Sequence, residues 1–125
     1  MLKREAVDKI LRYWQKRLLM QDWEMDLYIN ENNVDHGNAQ AEIGAREASI
    51  TIDAAYSGDV SDLVCHEVLH MVLEPLDTFS QQWSSLLPFE VRQVFTAQWD
   101  DQIEHLVDQL QKGMCDKTTT IRRSR

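Results

Sequence analysis

The stretch Cys65-His66-Glu67-Val68-Leu69-His70-Met71 lies inside a long apolar segment and decides how the chain is interpreted. Residues four positions apart fall on the same face of an α-helix, so the imidazoles of His66 and His70 can reach one cation. Neutral imidazole is a preferred zinc ligand, and a catalytic zinc keeps one position for water. Glu67 lies about 100° round the helix from His66, where its carboxylate can reach that water. The pattern predicts a zinc site with Glu67 as general base.

The flanking residues favour a helix around this motif. Asp59 is placed to cap its N-terminus, Asp62 three positions later resembles a capping box, and Pro75 is expected to end it. Apolar residues surround the histidines almost continuously, which indicates a helix buried on most sides: Val60, Leu63, Val64, Val68, Leu69, Met71, Val72 and Leu73. Buried polar side chains need partners, and a divalent cation would satisfy all three. The alternative is two partly exposed histidines with Glu67 in a surface ion pair.

A zinc site needs a further protein ligand, and a later acidic segment offers candidates. If Ile103 faces the core, Glu104 lies at the edge of the apolar stripe and His105 points away. Glu104 is therefore the predicted third ligand. Asp100, one turn earlier on the same side, is a second-shell partner or substitute ligand. His36, in a polar loop, ranks below Glu104 and above His105, and solvated carboxylates on a helix flank remain an alternative.

Bulk properties limit the possible functions. The 125 residues, 43% of them hydrophobic, predict one domain over residues 1–115, followed by a basic tail over 116–125 that is expected to be disordered. The net charge of −8 argues against nucleic acid as a partner, since phosphate binding needs concentrated Lys and Arg. We expect no membrane span and no signal peptide, reduced cysteines, and therefore a cytoplasmic protein. Oligomeric state is not predicted.

The rest of the chain predicts an α+β fold. An amphipathic helix is expected from Leu2 to about Met20, and alternating apolar residues predict strands near 23–30, 39–43 and 48–52. The short connection 44–47 predicts a hairpin between the second and third strands, in a three- or four-stranded, mainly antiparallel sheet. After the metal-binding helix we expect an irregular segment 77–88, a helical start at Pro88, a break near 96–98, and a helix end at Gly113.

These elements together resemble the zincin metallopeptidases. A glutamate on a separate helix as third ligand is similar to the gluzincin branch, here in a minimal single-domain form like small metallopeptidase-like proteins of bacteria and their phages. The resemblance covers roughly Trp23 to Gln111. It implies one Zn²⁺ held by His66, His70 and Glu104, with Glu67 as base. Tyr56 and Arg92 are candidates for the residue that stabilises the transition state.

The expected activity is that of a zinc-dependent endopeptidase, a hydrolase acting on a peptide or protein substrate through an activated water. A strand edge above the metal-binding helix is expected to hold the substrate in extended form. The alternative is a catalytically silent zinc-binding module of the same fold that acts through interaction or regulation. A role beside DNA, through Arg122, Arg123 and Arg125, is a third and less favoured possibility.

Overall fold

The computed structural model describes residues 2–31, 36–42 and 44–115, and it has three helices and three strands there. In chain order these are α1 (Arg4–Arg17), β1 (Glu24–Asn30), β2 (Gly37–Glu42), β3 (Glu47–Asp53), α2 (Val60–Ser84) and α3 (Phe89–Cys115). The chain divides within α2 into two compact units, residues 1–72 and 73–125. The α+β class is confirmed. The expected tail, 116–125, lies outside the described residues.

The sheet of the first unit is mixed, with the strand order β1-β3-β2. Strands β2 and β3 are antiparallel neighbours, as the short connection predicted, whereas β1 and β3 are parallel. The prediction of a mainly antiparallel sheet was therefore wrong for one of its two pairings. The reason is topological: the chain reverses twice between β1 and β3, because β2 lies between them in sequence but at the far edge of the sheet.

One face of this sheet forms the core of the first unit. Alternate residues of β1 and β3 lie beside each other in register on this face, because successive side chains point to opposite faces of a strand, and all but the half-buried Ile29 are buried: Met25 with Ala48, Leu27 with Ile50, and Ile29 with Ile52. The opposite face carries exposed polar residues such as Asp26 and Gln40. Helix α1 buries Val7, Leu11 and Trp14, so its predicted apolar stripe is confirmed.

Polar groups tie α1 to its neighbours in the first unit. The buried amide of Gln15 donates to the carbonyl oxygens of Met20 (2.8 Å) and Trp23 (2.6 Å), in the segment that leads into β1. The Arg12 guanidinium donates to the Met25 carbonyl at 3.0 Å. Because buried carbonyls are costly to leave without donors, these bonds hold the chain that connects α1 to the sheet.

The second unit contains the end of α2 and all of α3. The indole Nε1 of Trp99 donates to Asp77 Oδ1 at 2.7 Å, and the Arg92 guanidinium donates to the carbonyls of Ser84, Ser85 and Leu87 at 3.0–3.1 Å. Early residues of α3 therefore pair with late residues of α2, as in an antiparallel helical hairpin.

Three predicted helix boundaries were wrong. Helix α2 continues through Pro75 to Ser84, so the segment predicted to be irregular is mostly helical. Proline only removes one amide donor and strains one turn, and contacts such as the one from Asp77 to Trp99 stabilise the helix beyond it. Helix α3 has no break near 96–98 and runs past Gly113. The predicted start next to Pro88 is confirmed.

The break in α3 was predicted from a shift in the phase of its apolar residues. Val91 and Val94 are out of phase with Trp99 and Ile103, and a broken helix would have let both groups face one core. The structure resolves the conflict differently: Val91 and Val94 stay exposed at 52% and 58%, while Val107 is fully buried. The helix stays continuous, and as a result the apolar side chains of its first part remain in solvent.

Candidate metal centre

The first turn of α2 is anchored at both its backbone and its side chains. The carboxylate of Asp59 accepts a hydrogen bond from the Asp62 amide at 3.1 Å, which confirms Asp59 as the N-cap. The indole Nε1 of the buried Trp14 donates to Ser61 Oγ at 2.9 Å. This bond fixes the start of α2 to α1, and so positions the two histidine side chains that follow one and two turns later.

His66 and His70 lie side by side on α2 and are both partly exposed. Their ring centroids are 4.9 Å apart, and the ring planes are inclined by 66°. In a tetrahedral zinc site with Zn–N bonds of about 2.0–2.1 Å, the centres of two ligating imidazole rings lie about 5 Å apart. The two rings therefore have the separation that a shared zinc ion requires, and partial exposure leaves them reachable from solvent.

The helix around the pair is buried on its remaining sides. Val64, Cys65, Val68, Leu69 and Met71 are at most 2% exposed, whereas the histidines are not fully covered. Cys65, between Val64 and His66, is one of these buried core residues. The alternative considered above also has partly exposed histidines, but it places Glu67 in a surface ion pair, whereas Glu67 is buried.

Glu67 is buried, with 7% of its surface exposed. Its carboxylate lies against the backbone of β2: a Cβ added to Gly37 would be 3.3 Å from Glu67 Oε1 and 3.1 Å from Leu63 Cδ1. A side chain at this position would press on Leu63 and Glu67, so glycine suits the close approach of β2 to the carboxylate. Gly37 thus positions Glu67, and it was missed from the sequence, although a glycine in a strand often marks such an approach.

Three of the four candidate third ligands lie on one helix. Glu104, Asp100 and His105 are all exposed residues of α3, in the second unit. The predicted apolar stripe beside Glu104 is only partly buried, since Leu106 and Leu110 are 37% and 38% exposed. Glu104 remains the predicted ligand among them.

His36 lies just before β2 in the first unit and is exposed. Its backbone is left-handed, with φ of 62°, and its Nδ1 is 3.9 Å from Asp53 Oδ2. The ring also lies 5.4 Å, centroid to centroid, from that of Tyr56. These contacts place His36 in a small polar group at the end of β3.

The two candidates for transition-state stabilisation differ in their surroundings. The Arg92 guanidinium donates to three carbonyls at the C-terminal end of α2, which gives it a structural role in the second unit. The half-buried Tyr56 folds its hydroxyl over Gly58, where a Cβ would collide with it. Neither contact involves the two histidines.

One carboxyl group on α2 has a shifted pKa. Partial burial raises the pKa of Glu74 above its usual value, the negative charge of Asp77 raises it further, and a hydrogen bond with the Thr78 side chain acts in the opposite direction. Glu74 follows His70 by four positions on α2. Because its pKa is raised, its carboxylate takes up a proton at a higher pH than an ordinary glutamate does.

None of the helices in the described residues is long and apolar enough to cross a membrane. Comparison of the chain with protein-family models, with curated proteins and with solved structures finds no match. The function must therefore be argued from the residues themselves.

Proposed function

We propose that the protein is a zinc-dependent endopeptidase of zincin type, with His66, His70 and Glu104 as the zinc ligands and Glu67 as general base. The observation that carries the proposal is the geometry of α2: two imidazole rings 4.9 Å apart, with a buried carboxylate on the residue after the first. Zinc suits this donor set of two imidazoles and one carboxylate.

A bound zinc ion would polarise a peptide carbonyl and lower the pKa of a water molecule towards 7. The role of Glu67 is to take the proton from that water and to deliver it to the leaving amine. Its burial against Gly37 supports this role, because a carboxylate that is held in one position loses little freedom during the reaction.

Strand β2 is the part of the first unit that we assign to substrate binding. It lies at the edge of the sheet, and its first residue touches the Glu67 side chain. An extended peptide that forms main-chain hydrogen bonds with the outer edge of β2 would run past the general base. The other edge of the sheet is formed by β1, and β3 separates that edge from β2.

The first experiment measures zinc. Protein purified without added zinc is analysed for metal content, alongside His66→Ala, His70→Ala and the control His105→Ala, which changes an exposed histidine on α3. We expect about one zinc per chain in the wild type and the control, and a large loss in the other two variants. Native protein that is metal-free and indifferent to added zinc would rule out the proposed site.

The second experiment separates metal binding from catalysis. Glu67→Gln keeps the shape of the side chain and removes its basicity, so zinc should stay bound while cleavage of casein or a peptide library falls by at least about a hundredfold. A chelator should abolish cleavage by the wild type. Retained turnover in Glu67→Gln would exclude the assigned base, and absence of cleavage in zinc-loaded wild type would favour the silent binding module.

The third experiment tests Glu104. Its replacement by Ala should weaken zinc binding about 10- to 100-fold or more, whereas Asp101→Ala, a neighbouring exposed carboxylate on the same helix, should leave it unchanged. Unchanged zinc affinity in Glu104→Ala would move the third ligand to Asp100, His36 or His105.

A further inference from the structure

The second unit exposes an unusual amount of apolar surface at the turn between its two helices. Seven large apolar side chains there are 46–80% exposed and together form what we call the hairpin surface: Leu76, Phe79, Trp83, Leu86, Phe89, Val91 and Val94. Along α3 the surface includes a shallow, mainly apolar depression lined by Glu90, Val91, Val94, Phe95 and Gln98.

Helical geometry places the two halves of this surface on one side of the hairpin. Asp77 and Ser84 on α2 lie where Trp99 and Arg92 of α3 make their hydrogen bonds. On α2, Leu76 precedes Asp77 and Trp83 precedes Ser84 by one residue, and on α3 Val91 precedes Arg92 by the same offset. In two antiparallel right-handed helices, an equal offset of about 100° turns both sets of side chains to the same side.

The size of the surface exceeds what an isolated protein usually exposes. Three aromatic rings, each able to bury about 150–250 Å² and each more than half exposed, combine with four aliphatic side chains to give on the order of 700 Å² of apolar area. The largest apolar patch on a typical monomer is about 300–600 Å². A stable interface buries about 800 Å² on each partner, so this surface alone approaches one side of an interface.

Its charge indicates the kind of partner. Over residues 76–98 the chain has two acidic residues, Asp77 and Glu90, and one basic residue, Arg92. The Asp77 carboxylate accepts from the Trp99 indole, and the Arg92 guanidinium donates to carbonyls of α2. The chain as a whole has a net charge of −8, so two copies repel each other over most of their surface. The hairpin surface is an apolar region with few charges, where a second copy can approach with less repulsion than elsewhere.

We infer that the hairpin surface is the interface of a homodimer, in which two copies pack their α2–α3 hairpins together about a two-fold axis. A two-fold interface uses the same surface on both copies, which an apolar patch with few charges allows. The two hairpins would then form a four-helix arrangement with Phe79, Trp83 and Val94 at its centre. This inference concerns assembly, and it stands independently of the proposed peptidase activity.

The test is the molar mass of the full chain in solution, measured by light scattering and sedimentation equilibrium over a wide range of protein concentration. We expect twice the chain mass of 14.6 kDa for the wild type. Val94→Glu and Trp83→Glu should raise the dimer dissociation constant at least about thirtyfold, because each places a charge in a buried apolar interface. Tyr13→Glu, a similarly exposed ring on α1, is the matched control and should remain dimeric.

Circular dichroism checks that all variants keep the helical content of the wild type, which is expected because the changed side chains are exposed. A wild type that is monomeric at every concentration would overturn the inference, as would dimers that persist in both Val94→Glu and Trp83→Glu. A monomeric wild type that binds lipid vesicles or a helical peptide through this surface would assign it to those partners instead.

Discussion

Replacement of Gly37 by Ala tests the contact that holds the proposed general base. The added methyl group would lie 3.1 Å from Leu63 Cδ1 and 3.3 Å from Glu67 Oε1, both closer than ordinary van der Waals contact, and 3.4 Å from Glu67 Cγ. Gly37 does not have a positive φ, so alanine can adopt its backbone conformation. The cost of the substitution therefore comes from packing and not from backbone strain.

Two opposing effects set the magnitude. Overpacking of a buried site costs about 1–3 kcal/mol. Alanine also restricts the unfolded chain, which stabilises the folded state by about 0.4–1 kcal/mol where the backbone is compatible. We expect Gly37→Ala to lower the free energy of unfolding by about 0.5–2 kcal/mol. Gly44→Ala is the matched control, because nothing lies within 4 Å of its Cβ position, and it should be neutral or slightly stabilising.

Urea denaturation of both variants measures this difference. A double-mutant cycle with Leu63→Ala identifies the collision: if the Leu63 side chain causes it, the two changes together should cost less than their sum by at least about 0.5 kcal/mol. Equal stability of the Gly37→Ala and Gly44→Ala variants would refute the close approach of β2 to α2.

The same substitution has a catalytic consequence under the proposed function. A displacement of the Glu67 carboxylate by a few tenths of an ångström should lower kcat about two- to tenfold, while zinc content stays the same, since misplacement by about 1 Å typically costs a hundredfold. If kcat is unchanged in a variant that is destabilised as expected, Gly37 affects packing alone.

Three further changes test other parts of the structure. Ser61→Ala should lower the free energy of unfolding by about 1–2 kcal/mol, because it leaves the buried Trp14 indole without its acceptor. Thermal or urea denaturation measures this loss, and no change would mean that water replaces the serine hydroxyl. Pro75→Ala should raise the stability to urea by about 1–3 kcal/mol, because it restores an amide donor inside α2, and a loss of stability would contradict a regular helix at that position. Glu74→Gln should raise the melting temperature near pH 7, where the charged carboxylate is disfavoured in the folded state. Because the folded pKa lies above the unfolded one, that advantage should fade as the pH falls through the folded pKa towards the ordinary value of 4.5, and a pH-independent difference would contradict the assignment.

Local patterns in the chain were sufficient to predict several elements. The structure has the predicted strands, the cap at Asp59 and the shared face of His66 and His70. Each of these depends on residues that are close together in the sequence. Side-chain period and capping chemistry act over short distances, so they are readable without knowledge of the fold.

Other features depended on residues far apart in sequence. The parallel pairing of β1 with β3, the helix that continues through Pro75, and the contact of Gly37 with Glu67 are each decided by a partner that local patterns do not name. The continuous course of α3 is another case, since the phase of its apolar residues predicted a break near 96–98.

The sequence by itself determined the α+β class and the histidine pair with its adjacent carboxylate, because helix and strand periodicity already specify which side chains share a face. Only the tertiary structure decided that Glu67 is buried against the backbone of β2 and that the apolar turn of the second unit remains in solvent. Burial is a property of the packed chain: whether an apolar or acidic side chain is covered depends on which distant segment reaches it.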